Sequence, residues 1–130
     1  VSPATERRAL QFAVALGGCV PVFAGAAGVM LGAGMTGDGG SAALDSHMRY
    51  LSGLLLGIGL VFWWLIPRIE RPTSLVPVLT LIVFIGGLAR LGGVVVHGVP
   101  PGAMLFGLAM ELVVTPLICF WQHRVASHTV

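Results

Sequence analysis

The sequence predicts an all-α integral membrane protein, a four-helix bundle with spans over about residues 10–33, 47–66, 74–96 and 103–121, in a single domain over 1–130. Three observations predict it. Each stretch is long enough, at about 1.5 Å per residue, to cross a hydrocarbon layer of roughly 30 Å with some tilt. Only 9% of residues are charged and 56% are hydrophobic, with a mean hydropathy of +0.96. A soluble chain of this size needs roughly a quarter of its residues charged to cover its surface. The 19 glycines would weaken soluble helices, but in a membrane they let helix backbones approach closely.

Within the first span, Pro21 removes a backbone donor and predicts a kink near Gly17 or Gly18. Ala24, Gly28 and Gly32 recur four apart, a face suited to close packing. Arg7 and Arg8 before an apolar run, and Leu16 to Cys19, imitate export signals, but the run continues through Ala33. That is too long for a signal core, so the segment is expected to remain as a span. Residues 34–45, with four glycines, Asp38 and Ser41, read as an irregular loop, and Asp45 or Ser46 as the cap of the second span.

The second span ends at Pro67, and residues 67–72 form a charged turn. Pro77 falls in the first turn of the third span, where its missing N–H costs little. Residues 97–102 make a second short turn, and Pro116 lies inside the fourth span. Trp63 and Trp64, one turn before the second span ends, and Trp121, at the end of the fourth, are expected as interface anchors.

Arg7, Arg8, Arg68, Arg71 and Arg124 fall on one side of this topology, whereas loops 34–45 and 97–102 carry no arginine or lysine. The bias places both termini in the cytoplasm of a multi-pass inner-membrane protein. The arginines are not gathered as a nucleic-acid-binding patch would be, so nucleic acid is excluded as a partner. Cys19 and Cys119 sit in or near apolar spans and read as buried free thiols.

Charges are costly within spans, which singles out Arg90 and Glu111. They lie about 9 Å and about 12 Å inward from the same, arginine-free side. Asp45, His47 and Arg49 at the start of the second span and His97 at the end of the third complete a candidate polar cluster or ligand site. Helical spacing aligns Arg49 with Gly53, Leu56, Gly57 and Leu60, Arg90 with Gly86, Gly93 and His97, and Glu111 with Gly107 and Thr115. Each charge is therefore expected on a face of small residues that packs against another helix. Arg90 is expected to bridge Glu111, and Arg49 to pair with Asp45 or Glu111. Three roles stay open: fixing helix register, holding an anion or head group while Glu111 carries a proton, or pairing across a subunit interface.

No catalytic triad, zinc-protease or phosphate-loop pattern is present, so no catalytic residue is assigned. His47, His97, His123 and His128 do not share a helical face, so no metal is expected. No cofactor is predicted, although the tryptophans leave lipid, quinone or pigment contact open.

The run Leu44-Asp45-Ser46-His47-Met48-Arg49-Tyr50-Leu51-Ser52-Gly53, then Gly57-Ile58-Gly59 and Ile66-Pro67-Arg68-Ile69-Glu70, resembles a domain-of-unknown-function family of small bacterial inner-membrane proteins. Gly86 to Leu91 and Glu111-Leu112 extend the resemblance over most of the chain. It implies four transmembrane helices and a bacterial origin, with Asp45, His47, Arg49, Arg90 and Glu111 matching recurring polar positions. It implies no activity. The leading expectation is an accessory or structural subunit of a larger membrane complex, respiratory or photosynthetic, partnered by lipids and other integral membrane subunits. The alternatives are a stand-alone protein binding or moving a small anionic or lipid-like molecule, and a membrane enzyme.

Overall fold

A computed structural model describes residues 2–36 and 40–129. The all-α class stands. Four helical segments are long and apolar enough to cross a membrane: Pro3–Met35, Ala42–Arg68, Leu75–His97 and Gly102–His128. The elements are α1 (Pro3–Leu31), α2 (Ala42–Leu65), α3 (Leu75–His97), α4 (Gly102–Ala109), a π-helical turn (Met110–Val114) and α5 (Thr115–Thr129). Short 3₁₀ segments, Gly32–Thr36 and Ile66–Arg68, follow α1 and α2.

Helix α1 starts seven residues before the expected span because Ser2 and Pro3 are a start signal. The Ser2 hydroxyl accepts the Thr5 N–H at 3.2 Å, and proline at the first helical position gives up a donor that had no partner there. Helix α2 is capped by Ser41, whose hydroxyl accepts the Leu44 N–H at 3.1 Å, not by Asp45 or Ser46. The expected irregular loop is accordingly shorter, and Asp38 lies outside the described residues. The fourth span continues past Trp121 to the end of α5.

Pro116 explains the π turn. It cannot donate to the carbonyl four residues back, and the helix widens by one residue just before it. The Met110 carbonyl takes both the Thr115 N–H and the Thr115 hydroxyl, the latter at 2.8 Å. Glu111 sits in this widened turn.

The chain forms two compact units, one of residues 1–17 and 67–130, the other of residues 18–66. The division falls inside α1 at Gly17 and Gly18, where Pro21 leaves the Gly17 carbonyl without its helical donor. The larger unit buries Leu10, Val14, Ile69, Val76, Leu79 and Val125. Its tightest approach is at Gly87 of α3, where a Cβ would lie 2.8 Å from Leu112 Cδ2 and 2.9 Å from Glu111 Cβ. The expected packing glycines, Gly86 and Gly93, face open space instead.

In the smaller unit, Gly25 and Gly28 of α1 meet the backbone or side chains of Ser52 and Leu56, and Gly59 meets Pro21 and Val22. The face of α1 is thus Gly25, Gly28 and Gly32, and Gly25 is the one that meets the backbone of α2. On α2, the partner line is Ser52, Leu56, Gly59 and Trp63; Gly57 is open. Spacing alone left two overlapping lines possible, because consecutive glycines serve either.

Candidate functional site

Three charged centres organise the chain. The first joins α3 to the widened turn. Arg90 Nε donates to Glu111 Oε1 at 3.0 Å and to Oε2 at 3.4 Å, and Nη2 lies 3.0 Å from Oε1. Gly107, one turn before Glu111, leaves room for both head groups, its missing Cβ facing Glu111 Oε1 at 3.6 Å and Arg90 Cζ at 4.0 Å. Glu111 is 17% exposed and Arg90 37%, so the carboxylate is sheltered while the guanidinium keeps one flank open. Nη1 has the donor capacity to reach a further acceptor.

The second centre closes the smaller unit. Asp45 Oδ2 accepts Arg49 Nε at 2.8 Å, and Asp45 Oδ1 accepts the Ala33 N–H at 2.9 Å. Arg49 Nη1 donates to the Val29 carbonyl at 2.7 Å and the Met30 carbonyl at 3.2 Å. Carbonyls at a helix C-terminus lack intrahelical donors and carry partial negative charge, so one guanidinium ends α1 and fastens it to α2. Gly32 makes the turn possible: its φ is +56°, and a Cβ there would collide with the Asp45 carboxylate. Of the two partners open to Arg49, the structure gives Asp45, in a helix-closing clamp. Arg49→Leu is expected to lower stability by about 1–2 kcal/mol, the lower part of the range for charged hydrogen bonds because the site is half exposed. Denaturant titration in mixed micelles measures it.

Sequence reasoning missed the third centre, at the arginine-bearing end of the larger unit. Arg7 Nε pairs with Glu70 at 2.9 Å and Arg7 Nη2 donates to the Pro67 carbonyl at 3.3 Å. Glu6 receives Arg124 at 2.9 Å and the Trp121 indole N–H at 3.2 Å. Gln122, 2% exposed, donates to the carbonyls of Ile69 and Arg71, each at 3.0 Å. Reading Ser2-Pro3 as a helix start would have placed Glu6 and Arg7 on α1 and revealed them. Each of the four acids among the described residues therefore has an arginine partner, and Arg8, Arg68 and Arg71 add further positive charge at this end.

Burial pushes the Glu70 carboxyl up, but the Arg7 hydrogen bond, its own backbone N–H and the charges of Arg7 and Arg71 together hold it below its ordinary value of 4.5. Its folded value being the lower one, the stability it contributes is complete above about pH 4.5 and disappears as pH falls through the folded value. The thermal midpoint is expected to fall as the pH is lowered below about 4.5, with Glu70→Gln flattening part of that drop.

The remaining candidates are more ordinary. His47 and His97 are exposed. Trp63 packs edge-to-face on Phe23 with centroids 6.3 Å apart and over Gly18, so it is a packing residue of the smaller unit. Trp64 is 55% exposed, as a ring at a lipid boundary would be, and Trp121 is tied to Glu6. Cys19 and Cys119 are half-buried and not joined in a disulfide. Among the described residues, no three His, Cys, Asp or Glu side chains converge as metal ligands.

Neither the curated proteins nor the solved structures contain a match to the chain. The model of one family, described as a domain of unknown function (DUF4345), matches residues 9–122, a stretch that holds Arg90, Glu111, Asp45 and Arg49, the second and third apolar helices whole and most of the first and fourth. The chain belongs to that family, and its four long apolar helices make it a multi-pass membrane protein.

Proposed function

We propose that this protein is an accessory subunit of a larger complex in a bacterial inner membrane, with both termini cytoplasmic, and that its intramembrane ion pairs fix helix packing. The observation that carries this reading is the outer face of α3. Ile82, Gly86, Ala89, Gly93 and Val96 recur at alternating four- and three-residue steps, and all five are exposed. A Cβ at Gly86 or Gly93 would meet nothing within 4 Å. Glycine in a helix interior costs roughly 0.5–1 kcal/mol relative to alanine, a cost that a close interhelical contact offsets. The spacing suits a membrane helix crossing at about +20°. Arg90 borders this seam and can give its remaining donor to a partner's carbonyl.

The arginine bias supports the orientation. The closed Arg90–Glu111 bridge favours a structural pair over a transport site, because both carboxylate oxygens already have donors. A second reading, a stand-alone protein handling a small anion or lipid-like molecule, draws on the π turn, since such turns recur at functional sites.

Purification from native membranes in mild detergent, followed by mass spectrometry, tests the proposal. The expected result is a defined multi-subunit species that Gly93→Leu disperses. A homogeneous monomer with no companion contradicts it. Quinone or pigment absorbance in the purified species would identify contact with a cofactor-bearing partner.

A further inference from the structure

A cavity of about 480 Å³ opens between the start of α3 and the last turns of α5, lined by Thr73, Ser74, Gln122, His123 and Ser127 among others. Its volume falls in the range of roughly 300–1,000 Å³ usual for small-molecule sites. The third apolar segment begins at Leu75 and the fourth ends at His128, so the cavity lies where a membrane span meets the head-group layer. Its polar groups differ in what they have left to give. Both amide hydrogens of Gln122 are committed to backbone carbonyls, and the Ser127 hydroxyl donates to the Arg124 carbonyl. Thr73 Oγ1 accepts the Leu75 N–H at 3.0 Å and retains its own hydrogen. Ser74 caps no backbone group, and His123 is exposed. Thr73, Ser74 and His123 therefore each keep a hydrogen to donate on the open wall.

Charge points the same way. No acid lines the cavity, and the acids of this end, Glu6 and Glu70, are engaged by Arg124 and Arg7. Arg8, Arg68 and Arg71 leave the same end with a net positive field. We propose that this cavity binds a phosphate-bearing group, through the hydroxyls of Thr73 and Ser74 and the imidazole of His123. A membrane phospholipid and free phosphate share that chemistry. The cavity exceeds what a lone phosphate fills, and its position suits a lipid head group.

The test is native mass spectrometry of the full chain in neutral detergent, titrated with phosphatidylglycerol, with diacylglycerol as the phosphate-free control. Phosphatidylglycerol is expected to be retained and diacylglycerol not, and the double variant Ser74→Ala/His123→Ala is expected to bind about tenfold more weakly. Both side chains are exposed, so an unchanged thermal midpoint verifies folding. His97→Ala, at the far end of α3, leaves retention unchanged. Displacement by millimolar inorganic phosphate would make free phosphate a competent ligand of the same site, and lipid retained under that challenge assigns the site to the phospholipid. Equal retention of both lipids, or retention indifferent to the double variant, overturns the proposal.

Discussion

Glu111→Leu alone is expected to destabilise the protein by about 3 kcal/mol. The loss of the hydrogen bonds is the smaller part, since interhelical bonds in membranes average about 0.6 kcal/mol in mutant cycles. The larger part is the guanidinium charge left behind without its partner in apolar surroundings. Because Arg90 keeps 37% exposure, it can bend toward the head groups, which holds the cost at the lower end of the roughly 3–5 kcal/mol typical of buried pairs. Glu111→Gln, which keeps the shape and two polar atoms, is expected to cost less than the leucine variant. Unfolding in mixed micelles resolves the order.

Gly25→Ala is expected to be more damaging than the same change at Gly28 or Gly57, at about 1–3 kcal/mol or more. The added Cβ would stand 2.6 Å from the Leu56 nitrogen, 2.8 Å from Leu56 Cα and 2.8 Å from the Ser52 carbonyl oxygen. All three are backbone atoms, so no rotamer relieves the clash and the helices must separate. Gly28→Ala meets the Ser52 side chain, whose Oγ can rotate away but whose Cβ, 2.5 Å off, cannot, so it is expected to fall at the lower end of about 1–3 kcal/mol. Gly57→Ala meets nothing and gains the helix propensity of alanine, about 0.8–1 kcal/mol. The three variants carry the same chemical change, so their ranking isolates the contact. A ranking in which Gly57→Ala is worst would refute the helix register described for this unit.

Much of the fold is legible in composition and span length, because a chain with 9% charged residues leaves hydrocarbon as the only solvent for four long helices. The Arg90–Glu111 pair was also within reach, since opposite charges at matched depth on adjacent spans have few alternatives. Helix lines were harder. Gly86-Gly87 and Gly92-Gly93 offer two faces each, and the choice of Gly87 depends on where Leu112 and Glu111 stand after Pro116 widens the helix. The Arg49–Asp45 pair was likewise within reach, but the rest of the clamp was hidden for a different reason: its partners are the backbone carbonyls of Val29 and Met30 and the N–H of Ala33. Backbone groups carry no sequence signature. The third centre was missed through a start signal passed over, since Ser2-Pro3 extends α1 far enough to bring Glu6 and Arg7 to the end that holds Glu70 and Arg124.

A double-mutant cycle on Arg90→Leu and Glu111→Leu, measured by unfolding in mixed micelles, tests the structural role of the pair most directly. The account predicts that the double variant recovers most of the stability either single variant loses, with a coupling of about 2–3 kcal/mol. Additive losses, with no recovery when both charges are gone, would contradict it.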